Sequence, residues 1–211
     1  MCTLARRKGV ADKNTVSVSK KKRSRFLTTQ SVLCSEQLFE ANIDVLQEGR
    51  VMLAALLPEQ YIQGYKPAFA STVGAHFRHV LEHYRCFLKH LPRGEICYDS
   101  RERDQLLEVD HSYALTTIND LCAALEKHKG QLDINTSCEV KDMQSKFPVT
   151  STLERELLFL QAHSTHHYAI IAAMCRMLGA QPADDFGVAI ATRDHQRKTT
   201  VSAEGESTCA Q

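Results

Sequence analysis

Several things are missing from this chain, and each absence narrows what it does. No apolar run approaches the length that a membrane span requires, so no span is expected. The N-terminal stretch has no apolar core of the kind a secretory signal carries. Eight cysteines are scattered with no CxxC pair among them, which argues against a zinc knuckle or a disulfide frame and for reduced thiols in an intracellular protein. No internal repeat is evident. Acidic residues are scarce at one end only: residues 1–25 hold nine Lys/Arg and the single acid Asp12. The remainder then carries 17 basic and 24 acidic residues, about −7, although the whole chain nets +1. A mildly acidic body lacks the electrostatic footprint of a nucleic-acid binder.

What is present begins with one long stretch, Glu154 to Leu178, which contains neither proline nor glycine. Leu153, Leu157, Leu160, Ile171, Met174 and Leu178 recur at three-four spacing and predict an amphipathic helix. Ser151 and Glu154 form a capping-box pair at its start. His167 sits where the repeat calls for an apolar residue, and His163 lies one turn earlier. Two imidazoles at i, i+4 on one helical face converge on a point, as in a two-histidine metal clamp. Alone, such a pair reads more simply as two core histidines with hydrogen-bonding neighbours, so a third ligand has to come from elsewhere.

Taken in order, residues 1–28 are polar and basic and read as a disordered tail. The run Ser19-Lys20-Lys21-Lys22-Arg23-Ser24-Arg25 has the composition of a nuclear address, against a default of a solvated tail and a cytoplasmic protein. Helix 1 is expected over Ser31 to Leu57, with Phe39, Ile43, Leu46, Leu53 and Leu57 as its stripe, and Pro58 ending it. A linker follows to Ala70. Helix 2 is expected from Ser71, its N-cap, to Leu91. Its apolar face is Val73, Phe77, Val80, Leu81, Tyr84, Phe87 and Leu88, with Arg78, Glu82, Arg85 and Lys89 on the solvent side. Between the two runs a second stripe, His76, His79, His83, Cys86 and His90.

The charged segment Tyr98 to Asp104 reads as a surface salt-bridge cluster. Helix 3 is expected over Asp104 to Lys129, with Asp110 and His111 beside its stripe and Gly130 as C-cap. Residues 131–149 suggest a small hairpin around Leu132 and Ile134. Helix 4 is the long stretch above. Phe186, Val188 and Ile190 should pack back on the helices, and residues 194–211 read as a second tail. Four amphipathic helices with short-to-medium connections predict an all-α fold, a four-helix bundle spanning residues 29–193.

In such a bundle helices 2 and 4 can face each other, which brings the helix-2 histidines to His163 and His167. Three neutral imidazoles bind a divalent transition metal and leave coordination positions open, which suits Lewis-acid work more than a closed structural site. The segments GAHFRHVLEHY (74–84) and LQAHSTHHYAII (160–171) together resemble the DinB-like superfamily, over about residues 32–190. The resemblance implies an antiparallel bundle with up-up-down-down connectivity and a three-histidine site for Zn²⁺ or Ni²⁺. It places the ligands on His79, His163 and His167, with His166 as a spare. On a helical wheel His76 and His83 lie closer to the apolar face than His79, so the helix-2 ligand stays open between motif and wheel.

Where many relatives carry Arg-Gly-Gln after the last ligand, this chain has Tyr168-Ala169-Ile170. Substrate contacts of that segment therefore do not transfer. Characterised relatives imply a thiol-dependent transferase or isomerase, in which the metal presents a thiolate to an electrophile, or else a hydrolase. The partner expected is a small molecule with a thiol, and a homodimer is left open. Cys86, two turns from His79, is a candidate thiol, although a buried free cysteine is the ordinary reading. Two other readings remain: a non-catalytic helical interaction module, and a nucleic-acid partner for the basic tail.

Overall fold

The computed structural model describes residues 36–129, 137–144 and 147–207. Helix α1 covers 36–54. Its Phe39, Leu46 and Leu53 are buried, with Val45, Met52 and Leu56 beside them. Leu57, expected in the core, is exposed instead: it sits extended in front of Pro58, which opens a new short helix, α2 (Pro58–Ile62). The expected linker is therefore structured. Beyond α2 it forms a two-stranded antiparallel ribbon, β1 (Gly64–Tyr65) with β2 (Phe69–Thr72).

Helix α3 (Val73–His90) starts one residue later than the sequence suggests. Ser71 belongs to β2, and Thr72 caps the helix by accepting from the Ala75 N–H at 3.0 Å. The expected third helix is broken in two, α4 (Leu106–Val109) and α5 (His111–His128). Asp110 stands extended between them and caps α5 through the Tyr113 N–H at 2.9 Å. His111 donates from Nε2 to the Leu53 carbonyl at 2.7 Å. Both residues are thus spent on structure. Leu132 and Ile134, the expected hairpin positions, and Gly130 lie outside the described residues. A hairpin does form just after them, β4 (Ser137–Val140) with β5 (Val149–Thr152), and β3 (Glu95–Ile96) joins β4 in parallel.

Helix α6 (Leu153–Met177) is the longest described element. Its cap is Thr152, through the Arg155 N–H at 3.3 Å, and not Ser151, which lies in β5. Ser151 instead donates to the buried Glu156 carboxylate at 2.5 Å. After α6, Phe186 returns to the core and stacks on Tyr168, centroids 4.9 Å apart, as expected, whereas Ile190 is exposed. Gly187 makes that return feasible: its φ is +76°, and a Cβ there would lie 2.3 Å from the Ala169 nitrogen. Helix α7 (Ile190–Ser207) occupies positions read as a tail, and residues 194–199 are almost all exposed.

The structure is mostly helical, with two small sheets at its margins. The core lies where α1, α3, α5 and α6 meet. Asn42 of α1, fully buried, donates to the Leu157 carbonyl of α6 at 3.1 Å and accepts from the Tyr84 hydroxyl of α3 at 2.8 Å. Gly49 lets α1 approach the Tyr168 phenol so closely that a Cβ would sit 2.2 Å from its oxygen. No described helix is long and apolar enough to cross a membrane. Cys86, Cys97, Cys122, Cys138 and Cys175 are free thiols.

Candidate metal centre

Packing α3 against α6 lays the two histidine runs across from each other. Residues spaced three and four apart on α3 put His76, His79 and His83 along one side, and His163 and His167 form the matching i, i+4 pair on α6. His79 is central. Its ring centroid lies 4.4 Å from His83, 4.9 Å from His163 and 4.5 Å from His167. His163 lies 4.3 Å from His83 and 4.7 Å from His167. Ligand nitrogens of His79, His83 and His163 fall within 4.8 Å of one another. Of the three residues that the resemblance points to, His79 and His163 belong to this group; His83 completes it, and His167 packs beside it ring to ring. His76 stands one step out: its Nδ1 is 2.9 Å from His167 Nδ1, and its Nε2 is 2.8 Å from Ser71 Oγ. His166 is exposed, and His90 donates from Nδ1 to the Cys86 carbonyl.

The hydrogen bonds fix several tautomers. His83 Nδ1 is 2.7 Å from the His79 carbonyl, which only accepts, so His83 keeps its Nε2 lone pair free. His79 Nδ1 accepts from Arg101 Nη2 at 3.1 Å. The two Nε2 atoms of His79 and His163 are 3.1 Å apart, which leaves His163 Nδ1 as a buried atom without a partner. Two imidazole nitrogens on a tetrahedral zinc with bonds of about 2.0–2.1 Å stand about 3.3 Å apart, so the His79–His163 separation suits shared ligation. The donor set, neutral imidazoles alone, suits zinc, nickel or copper.

Burial keeps these rings neutral. It pushes His79 down to about 2, helped by the repulsion that protonated His83, His167 and His163 would exert and by the charge of Arg101. His83 is pushed down to about 4, against a raising contribution from its bond to the His79 carbonyl, and His163 to about 4. Burial, then His163 and His76, brings His167 to about 3. All four fall from an ordinary value of 6.5. Between 6.5 and about 4 the unfolded chain therefore binds more protons than the folded one. The metal-free protein should lose stability as pH falls through that window, and go on losing it less steeply below, where His167 and His79 still stay unprotonated in the folded chain. Urea midpoints between pH 7.5 and 4 in the presence of a chelator measure this; a flat profile from pH 7 to 5 contradicts it.

Two residues of the site were not legible in the sequence as functional. Tyr98 stacks on His83 with centroids 5.3 Å apart and packs on Phe159, itself stacked on His163. Its hydroxyl donates to Glu156 at 3.0 Å. Arg101 reaches under the cluster, its Nη1 on the Tyr98 carbonyl at 2.9 Å and its Nε 3.3 Å from Glu82 Oε2. The segment read as a surface salt-bridge cluster is partly that, since Lys89 pairs with Glu102 at the surface. Arg101–Glu82 is instead buried. Glu82, expected on the solvent side of α3, is covered by this segment and also accepts the Asp104 N–H at 2.8 Å. Tyrosine next to alternating charge carries no periodicity that would have separated these residues from a solvated loop.

The environment of the Cys86 thiol disfavours the thiolate that a nucleophile needs. Burial pushes the thiol up to about 11, and it donates to the Cys97 carbonyl at 3.4 Å.

Comparison with known proteins points the same way as the geometry. A stretch of 106 residues, 48% of this chain, is 31% identical to a Rhizopus delemar protein named FK506-binding protein 5. The match spans 27% of that relative, so the shared part is a minor portion of a longer protein. The DinB family matches residues 27–197, which takes in α1, α3, α5 and α6 and every histidine of the cluster. The chain belongs to the DinB family.

Proposed function

We propose that this chain is a metal-dependent DinB-like protein whose α3 and α6 histidines hold one divalent transition metal, zinc or nickel, for transferase or hydrolase chemistry on a small molecule. The observation that carries the reading is the convergence of the His79, His83 and His163 ligand nitrogens within 4.8 Å. His79, His163 and His167 are the proposed ligands, with His83 able to stand in for His167. When bound, the ion would supply Lewis acidity to a water or thiol in the position that three histidines leave open.

The chain's own groups shape what that chemistry is. Glu82 is tied to Arg101 and the Asp104 N–H, and Glu156 to Tyr98 and Ser151, so neither carboxylate is free as a general base. The raised Cys86 thiol is bonded inward, so a thiol nucleophile comes from the substrate. A cavity of about 310 Å³ bounded by Glu82, Cys86, Lys89, Ser100 and Arg101 shares only Arg101 with the surroundings of His79, and none of the four cluster histidines lines it. His76, His79, His163 and His167 are only half-buried, which supports access from solvent. The packing of α1, α3, α5 and α6 supports an antiparallel four-helix bundle within residues 29–193. A thiol-bearing substrate, a homodimer and a cytoplasmic or nuclear location belong to the same proposal.

Equilibrium dialysis against Zn²⁺ or Ni²⁺, followed by elemental analysis, tests the reading. One ion per chain is expected. No retained ion with either metal would return the cluster to a polar packing network and leave a non-catalytic helical module.

A further inference from the structure

Arg101 occupies a nitrogen of His79, one of the two imidazoles that both candidate ligand sets share. A guanidinium has only donors, so the 3.1 Å contact from Arg101 Nη2 makes His79 Nδ1 the acceptor. A neutral His79 then carries its single hydrogen on Nε2, where it points at His163 Nε2 at 3.1 Å. Neither nitrogen is left for a metal. Ligation through Nδ1 needs the lone pair that Arg101 holds. Ligation through Nε2 needs the hydrogen moved to Nδ1, where it would face the Arg101 N–H, donor against donor.

Resting on the metal-site reading above, we propose that Arg101 is a positioning residue that competes with the metal for His79: metal ligation by His79 and the Arg101–His79 hydrogen bond exclude each other. The ring keeps one proton throughout; only the nitrogen that carries it changes. Arg101 is built to stay close whichever state is populated. Its side chain is 12% exposed, its Nε lies 3.3 Å from Glu82 Oε2, and the Glu82 side chain is 1% exposed. Its Nη1 holds the Tyr98 carbonyl at 2.9 Å, and the Tyr98 ring covers His83. Metal entry therefore releases Arg101 Nη2 from His79 while Glu82 retains Nε and the Tyr98 carbonyl retains Nη1. By linkage, whatever favours the Arg101–His79 bond weakens the metal by the same factor.

The test compares Zn²⁺ affinity, by competition with a chromogenic chelator, in the wild type, Arg101→Met, the double variant Arg101→Met/Glu82→Gln and the control Arg103→Met. The double variant removes the acid that Arg101→Met alone would leave buried with only Arg78, at 3.9 Å, as counter-charge, so a folded protein remains for measurement. Removing a hydrogen bond to a charged group should tighten Zn²⁺ by between about 10- and 100-fold in the folded Arg101 variants, and leave Arg103→Met unchanged. Long-range ¹H–¹⁵N NMR of the metal-free wild type reads the contact without any metal. It should show His79 protonated at Nε2, a signature lost in the double variant. Equal or weaker Zn²⁺ binding in the folded double variant, or a wild-type His79 protonated at Nδ1, overturns the proposal while the metal site stands. Absence of Zn²⁺ binding in the wild type and all variants overturns the metal reading, and this proposal with it.

Discussion

Replacing His79 or His163 with alanine is expected to weaken Zn²⁺ or Ni²⁺ binding by at least about 100-fold, with helical content unchanged. These two residues belong to both candidate ligand sets, the compact group with His83 and the set completed by His167. Each lies within 5 Å, ring to ring, of the other three histidines of the cluster. Both are only half-buried, so removing an imidazole opens no sealed cavity and the circular dichroism spectrum should hold. His83→Ala and His167→Ala then separate the sets, because only the true third ligand should approach the same loss. His83 is the buried member, covered by Tyr98, so its variant should also lose some stability. Retention of full metal binding by His79→Ala or His163→Ala would contradict the ligand assignment.

The second large effect is on stability. Glu82→Ala should destabilise the protein by about 3–5 kcal/mol, because it removes one partner of a buried ion pair and leaves the other charged. Arg101, 12% exposed, would lose its counter-charge, and the Asp104 N–H would lose its acceptor. Arg78, 3.9 Å from Glu82 Oε1, still has Glu108 at 3.3 Å and should matter less. The contrast is Lys89–Glu102, where both side chains are mostly exposed; Glu102→Ala should leave the urea midpoint unmoved. Urea denaturation of the two variants side by side makes the comparison. Equal midpoints would mean that the segment carrying Arg101 is not held as described.

The parts of this fold that repeat were the parts that could be read. The expected ranges of α3 and α6 are nearly right because their apolar residues recur over many turns, and the errors are single residues at caps where Ser71 and Thr72, or Ser151 and Thr152, offer the same hydroxyl chemistry. The break between α4 and α5 was not legible because Asp110 caps a helix without any proline or glycine to mark it. The histidine cluster was legible as a meeting of α3 and α6, but not as a definite triad. His76, His79 and His83 sit at spacings of three and four, so they curve around one side of α3, and a helical wheel gives their angles but not their distances from α6. Glu82 and Arg101 failed for a related reason. The wheel puts Glu82 among charged residues facing outward, and only the path of the chain from Cys97 to Asp104 turns that side inward. No periodicity in a connecting segment records such a path.

The most direct test of the histidine site is X-ray absorption at the metal edge of the zinc- or nickel-loaded protein. The expected first shell is nitrogen and oxygen alone, with imidazole scattering and, for zinc, distances of about 2.0–2.1 Å. A sulfur shell at about 2.3 Å would place the metal on cysteine, away from His79 and His163, and contradict the assignment.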